Sequence, residues 1–148
     1  MYLICDIDGT LARVPADRLG AAARGDWSAY YACDFAHDAP TKAVPLVQAW
    51  LASGGIAVFV TSRRDTVRDE TLAWLRAQLP SMNAANAHVE MRAADDLTPE
   101  AEWKVRAVMR VCPRRSAALV VEDNAEACRA LARTGYAVLR VEEAGHGA

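Results

Sequence analysis

Five short strand-like runs, separated by stretches with helical spacing, constrain the fold of this chain more than any other feature. The runs are residues 2–5, 56–60, 88–91, 117–121 and 137–141, of which 88–91 is the weakest. Continuous apolar runs of this length suit parallel strands buried on both faces. Between them, the spacing predicts a helix over 41–53, with Pro45 near its first turn and Gly54-Gly55 as its stop. A second helix is expected over 67–79, capped by Asp65 or Thr66, with Leu72, Leu75 and Leu79 on one face. A third starts at Thr98-Pro99, with Pro99 as its first helical residue, and runs to about Cys112. A fourth is capped by Asn124 and ends at Gly135. Alternating strands and helices predict a parallel five-stranded sheet with helices on both faces, a three-layer α/β/α sandwich. Right-handed crossovers restrict it to a Rossmann-like doubly wound sheet.

At 148 residues the chain fits one domain with a core of its own. Its formal net charge of −2 gives no basic excess of the kind a general nucleic-acid binder carries. Recognition of a single phosphate or one strand end stays open. Cys5, Cys33, Cys112 and Cys128 lie far apart, with no C-x-x-C pair, and read as reduced buried hydrophobes in a cytoplasmic protein. Neither a signal peptide nor an apolar run of membrane-spanning length is present, so no membrane partner is expected. No G-x-G-x-x-G follows the first run and no P-loop occurs, which argues against dinucleotide and P-loop kinase sites. His37, His88 and His146 have no partner at catalytic or metal spacing. Residues 142–148 read as a frayed tail.

The chemistry-bearing residues fall where such sheets bind ligands, beyond the carboxyl ends of the strands. Asp6-Ile7-Asp8-Gly9-Thr10 follows the first run. A D-x-D-G-T pattern arises by chance on the order of once per 10^5 starting positions. Thr61-Ser62-Arg63-Arg64 follows the second run, Lys104 sits early in the third helix, and Glu122-Asp123 follows the fourth run. Phosphoryl transfer needs an in-line nucleophile, a proton donor for the leaving oxygen and positive charge around the phosphate. Asp6 can attack and form an aspartyl-phosphate, and Asp8 can give and take the proton. Asp6 and Asp123 are hard oxygen ligands suited to Mg²⁺. Thr61 can hold phosphate oxygens, and Lys104 can bridge nucleophile and phosphate as a point charge.

These four elements, in this order, resemble the haloacid-dehalogenase superfamily of aspartate-nucleophile phosphatases. Within it the chain is similar, from about Tyr2 to Val141, to the phosphatase domain of bacteriophage polynucleotide kinase. The residues that carry the likeness are Asp6 to Ala12, Cys33-Asp34 before Pro40, Thr61-Ser62-Arg63, Arg92 twelve residues before Lys104, Glu122-Asp123, and Arg133-Thr134-Gly135. The resemblance implies Asp6 as nucleophile, Asp8 as acid/base, and Mg²⁺ held by Asp6, Asp123 and the Asp8 backbone carbonyl. It implies that Lys104, Thr61, Ser62, Arg63 and Arg92 contact the substrate or the intermediate. It also implies a flap or small cap over residues 13–40, whose aromatics (Trp27, Tyr30, Tyr31) either stack a nucleobase or pack the flap onto the sheet. Glu122 departs from the family's first Asp by one methylene, and Asn124 stands where Arg is frequent. With no kinase motif, the expectation is a free-standing Mg²⁺-dependent phosphomonoesterase for a nucleotide or a nucleic-acid 3′-phosphate end. A 5′-nucleotidase or sugar-phosphate phosphatase is the alternative within the class. A non-catalytic module partnering a kinase or ligase is the alternative outside it, and the presence of both Asp6 and Asp8 argues against it.

Overall fold

A computed structural model describes residues 1–32 and 34–142; Cys33, His146 and the expected tail from residue 143 onward lie outside the described residues. Five strands, β1 (Tyr2–Cys5), β2 (Ile56–Arg64), β3 (Ala87–Arg92), β4 (Ala118–Glu122) and β5 (Ala137–Arg140), pair in the order β3-β2-β1-β4-β5. All four pairings are parallel. Helices α3 (Val44–Ala52), α4 (Arg68–Gln78), α5 (Glu100–Val111) and α6 (Ala125–Arg133) connect them.

Side-chain alternation along the strands shows why there are three layers. Leu3, Cys5, Ala57 and Phe59 face a core containing Val47 and Leu51 of α3 and Trp74 and Leu75 of α4. Ile4, Val58, Val60 and Val120 face the opposite core, with Trp103, Ala107 and Val108 of α5 and Leu131 of α6. The central strands β1, β2 and β4 are covered on both sides, which is why their runs read as continuously apolar, while the edge strand β5 is largely exposed. Trp74 is fully buried, and truncating it to Ala costs about 3–5 kcal/mol. Cys5, Cys112 and Cys128 are buried free thiols, as expected for them. No described helix is long and apolar enough to cross a membrane.

Several boundaries move. A 3-10 turn at Asp65–Val67 precedes α4, whose N-cap is Val67, so neither Asp65 nor Thr66 caps it. Pro99 occupies the N-cap of α5, one residue before the position expected of it. Strand β2 runs on to Arg64 because β3 accompanies it across a register shift between Thr61 and Arg64. Between β1 and α3 the chain forms α1 (Ala16–Ala23), α2 (Trp27–Tyr31) and a 3-10 turn at Phe35–His37. Trp74 Nε1 donates to the Asp38 carbonyl at 2.7 Å and ties this segment to the sheet side of α4.

Sheet order reverses direction at β1, which leaves a crevice beyond its carboxyl end. Cys5 is in register with Val121 on one side and Phe59 on the other. That register sets Asp6 beside Glu122 and within reach of Thr61.

Candidate active site

The chain leaves β1 in a tight turn in which the backbone N–H groups of Leu11 and Ala12 both donate to the Ile7 carbonyl at 2.8 Å. Gly9 has φ +82°, and a Cβ there would fall 2.1 Å from Asp123 Oδ2. Glycine is therefore required twice over, for its backbone conformation and for the approach of the second acidic loop. Thr10 Oγ1 donates to Asp123 Oδ1 at 3.1 Å, and Thr41 Oγ1 donates to the Thr10 carbonyl at 2.6 Å. The two acid-bearing loops are thus fixed to each other.

Around Asp6 negative charge is in excess. Lys104 Nζ contacts Asp6 Oδ1 and donates to Glu122 Oε2 at 2.7 Å, with all three side chains buried. Ligand oxygens of Asp6, Glu122 and Asp123 lie within 4.8 Å of one another, so three carboxylates face one ammonium. Burial, and next the Glu122 carboxylate, push the Asp6 carboxyl well above the usual range, against the pull of Lys104. The same two causes raise Asp123 to about 6. Burial works to discharge Lys104, but Asp6 and Glu122 outweigh it and hold its pKa above the ordinary lysine value.

An all-oxygen donor set with uncompensated negative charge fits a hard divalent cation such as Mg²⁺. Both Glu122 oxygens are engaged, Oε2 by Lys104 and Oε1 by the Asn124 backbone N–H at 3.0 Å. Asp6 and Asp123 are the carboxylates left to face an ion.

Around Asp8 the charges balance. Arg63 grips the Asp8 carboxylate from both sides, Nε to Oδ2 at 2.8 Å and Nη2 to Oδ1 at 2.7 Å. Arg18 of α1 donates to Asp8 Oδ1 at 2.9 Å. Both arginines also bond Asp38 Oδ2 at 2.9 Å, and both guanidinium groups lie over the Phe35 ring. Burial acts to raise the Asp8 pKa, yet Arg63 and then Arg18 more than offset it and hold it below the usual range. The register shift in β2 explains how Arg63 arrives there. A bulge turns successive side chains out of the regular alternation, and Thr61 Oγ1 accepts the Arg63 N–H at 3.2 Å.

Asp6, Asp8, Thr61, Ser62, Arg63, Arg92 and Asp123 all line one cavity of about 470 Å³, and Lys104 lies beneath it against Asp6. Thr61 is fully buried at the cavity floor. Ser62 Oγ donates to Glu100 Oε1 at 2.6 Å. The Arg63 guanidinium is committed to acids of this chain. Arg92 bonds the Thr98 carbonyl through Nη2, and its buried Nε has no hydrogen-bond partner among the described residues. Sequence reasoning missed Arg18 and Asp38 and gave Glu122 no task. Asp123 and Asn124 sit together at the cavity, with Asn124 Oδ1 capping α6 through the Glu126 and Ala127 N–H groups at 2.9 and 3.1 Å.

Over residues 1–146 the chain matches the family described as polynucleotide kinase PNKP phosphatase domain. Among solved structures, it resembles a chain of a Pnkp1/Rnl/Hen1 complex at 17% identity and TM-score 0.70, covering 95% of this chain and 45% of that one. A chain of the Pnkp1/Rnl/Hen1 RNA repair complex is similar at 18% identity and TM-score 0.69, with 95% and 42% covered. This chain therefore spans less than half the length of either. A haloacid dehalogenase-like hydrolase from Streptococcus pneumoniae is similar at 13% identity and TM-score 0.62, with 94% and 83% covered. At these identities the structural likeness speaks for the fold. No curated protein matches the chain significantly.

Proposed function

The chain belongs to the PNKP phosphatase-domain family of haloacid-dehalogenase-type phosphatases, and we propose that it hydrolyses phosphomonoesters at a nucleotide or nucleic-acid 3′-phosphate end. One observation carries the mechanism. Asp6, Asp8, Thr61 and Asp123 line one cavity, with Lys104 against Asp6 and two arginines on Asp8, so the two motif aspartates meet the same ligand with different partners.

Asp6, oriented by Lys104, attacks phosphorus as the bond to the leaving alcohol breaks, giving an aspartyl-phosphate. Asp8, a carboxylate at rest between Arg18 and Arg63, takes up the proton that a phosphate monoanion brings, passes it to the leaving oxygen, and afterwards takes one from the water that attacks the acyl-phosphate. Phosphate departs and the Asp6 carboxylate is regenerated. Arg18 and Arg63 position Asp8 and set its charge. Thr61 is placed to bind phosphate oxygens, and Ser62 and Arg92 line the same cavity. Mg²⁺, when held by Asp6, Asp123 and the Asp8 backbone carbonyl, would supply the charge that lets an anionic nucleophile meet an anionic phosphate. Buried free thiols and the lack of a spanning helix among the described residues support a cytoplasmic setting.

The test measures phosphate release with Mg²⁺ from paired 3′- and 5′-monophosphates, a 3′-phosphorylated oligonucleotide and a sugar phosphate. Preferential release from the 3′-phosphates, abolished by chelator, is expected. Release from none of them would dismiss the reading in favour of a binding module. A clear 5′ preference would replace it with a 5′-nucleotidase.

A further inference from the structure

The cavity floor is polar, and further out apolar residues join the lining beside Arg64, Thr98 and Glu100. Beyond Asp6, Asp8 and Thr61, the walls turn to Val14, Leu19, Ala22 and Trp27 from the α1–α2 side and to Leu97 and Pro99 from the loop before α5. Trp27 is 53% exposed and Leu97 is 85% exposed. A single exposed Leu needs no account. A large aromatic and a leucine uncovered on the same reactive cavity do.

Both are held in place rather than left to collapse. Trp27 stands edge-on to Tyr30 with ring centroids 5.7 Å apart, and Tyr30 stands edge-on to Tyr31 at 5.0 Å. Tyr31 in turn donates its hydroxyl to the Ser62 carbonyl at 3.1 Å. A ladder of rings thus runs from the carboxyl end of β2, beside Thr61, out to the mouth. On the other side, Arg64 donates to the carbonyls of Ala93 and Asp96, and Arg92 to that of Thr98, fixing the loop that carries Leu97. Those bonds have a second consequence. Of the arginines that line the cavity, Arg63 is committed to Asp8 and Asp38, while Arg64 holds the Ala93 and Asp96 carbonyls through Nη1 and Arg92 the Thr98 carbonyl through Nη2. A strand backbone is gripped by exposed Lys and Arg on successive phosphates, and among the described residues no lysine and no fully exposed arginine lines this cavity.

We infer that the mouth is a slot for one nucleobase against Trp27 and Leu97, and that the recognised unit is a single terminal nucleotide with its phosphate on the floor. This rests on the phosphatase reading above and deepens it. The volume agrees, since about 470 Å³ lies within the range of sites that enclose one small molecule. Aromatic stacking favours any base, so the slot selects nucleotides over aliphatic phosphates without reading sequence.

The experiment compares a nucleoside 3′-monophosphate, a 3′-phosphorylated decanucleotide and glycerol 2-phosphate with the wild-type chain, Trp27→Ala and Trp27→Phe. Trp27→Ala should raise KM for the nucleotide about tenfold, with kcat and the glycerol phosphate KM unchanged within about twofold. Trp27→Phe should restore most of the loss, and the decanucleotide KM should lie within about threefold of the mononucleotide KM. An equal change on nucleotide and glycerol phosphate, or no change on either, overturns the slot. A decanucleotide KM lower by about tenfold or more, and steeply salt-dependent, overturns the one-nucleotide unit. If the wild-type chain hydrolyses none of the three, the phosphatase reading fails. Calorimetric binding of the same nucleotide and glycerol phosphate to wild type and Trp27→Ala then decides the slot by itself.

Discussion

Asp6 and Asp8 are two residues apart in one loop, yet their surroundings differ as much as those of groups in different proteins. Asp6 shares a buried cluster with Glu122, Asp123 and Lys104, three negative charges against one positive. Asp8 shares its cluster with Asp38, Arg18 and Arg63, two against two. An unbalanced cluster invites a cation, whose charge would favour the ionised Asp6 that attack requires. A balanced one fixes its acid in place and in charge. The loop geometry alone does not assign the roles; the partners brought in from β2, β4, α1 and α5 do.

The largest effect that tests this contrast belongs to Asp6→Asn. It should lower turnover by about 10^4-fold or more, because the group that attacks phosphorus is gone. Removing one charge from a repelling cluster should leave the melting temperature equal or higher. A variant that is both inactive and unfolded would contradict the charge-excess description. Asp8→Asn should cost about 10^2–10^4-fold on an alkyl phosphate, the usual range for general acid–base catalysis. The loss should shrink on p-nitrophenyl phosphate, whose leaving group needs no proton. Equal losses on both esters would remove Asp8 from the proton-transfer role.

Stability separates the clusters next. Arg63→Met leaves Asp8 and Asp38 with Arg18 alone, and Lys104→Met leaves three carboxylates with no ammonium. Each should destabilise by about 3–5 kcal/mol in urea unfolding, the cost of breaking a buried charge pair. Measured against wild type at the same concentration, millimolar Mg²⁺ should recover part of the Lys104→Met loss and none of the Arg63→Met loss. Recovery of both, or of neither, would mean that the two clusters do not differ in their need for a cation.

The same contrast marks where sequence reading succeeds. Asp6, Asp8, Thr61 and Asp123 each lie within about three residues of the end of an apolar run, and Lys104 follows a helix start marked by Pro99, so local pattern locates all five. Arg18 and Asp38 leave no such trace. They meet across twenty positions, and Arg18 reaches Asp8 across ten, from a stretch without apolar periodicity. Arg63 is legible as a residue near the phosphate, but its grip on Asp8 depends on a bulge that four polar residues in a row do not signal. In the sequence Glu122 reads only as one methylene longer than the family's first Asp, with no task attached. Its extra methylene belongs to a side chain that spans Lys104 and the Asn124 N–H.

The smallest expected effect has opposite signs in the two clusters. In the chelated protein Asp123 titrates at about 6, above the roughly 3.9 of an unfolded aspartate. Between those values the folded state holds more protons than the unfolded one, so stability falls as pH rises from about 4 to about 6. Asp6, also raised, adds to this trend. Asp8 is depressed, and its contribution is full above the unfolded value and lost as pH falls from about 4 through its folded pKa. The metal-free protein should therefore melt highest near pH 4–5, several degrees above its value at pH 7. Saturating Mg²⁺ binds the charged carboxylates and should raise the melting temperature at pH 7 by mass action, moving the maximum toward neutrality. Asp123→Asn should flatten the metal-free slope above pH 5 and weaken the response to Mg²⁺. Differential scanning calorimetry across pH, with chelator and with Mg²⁺, reads all of these shifts. A metal-free melting temperature that climbs from pH 5 to 7 would show that the carboxylates around Asp6 do not repel one another as their spacing requires.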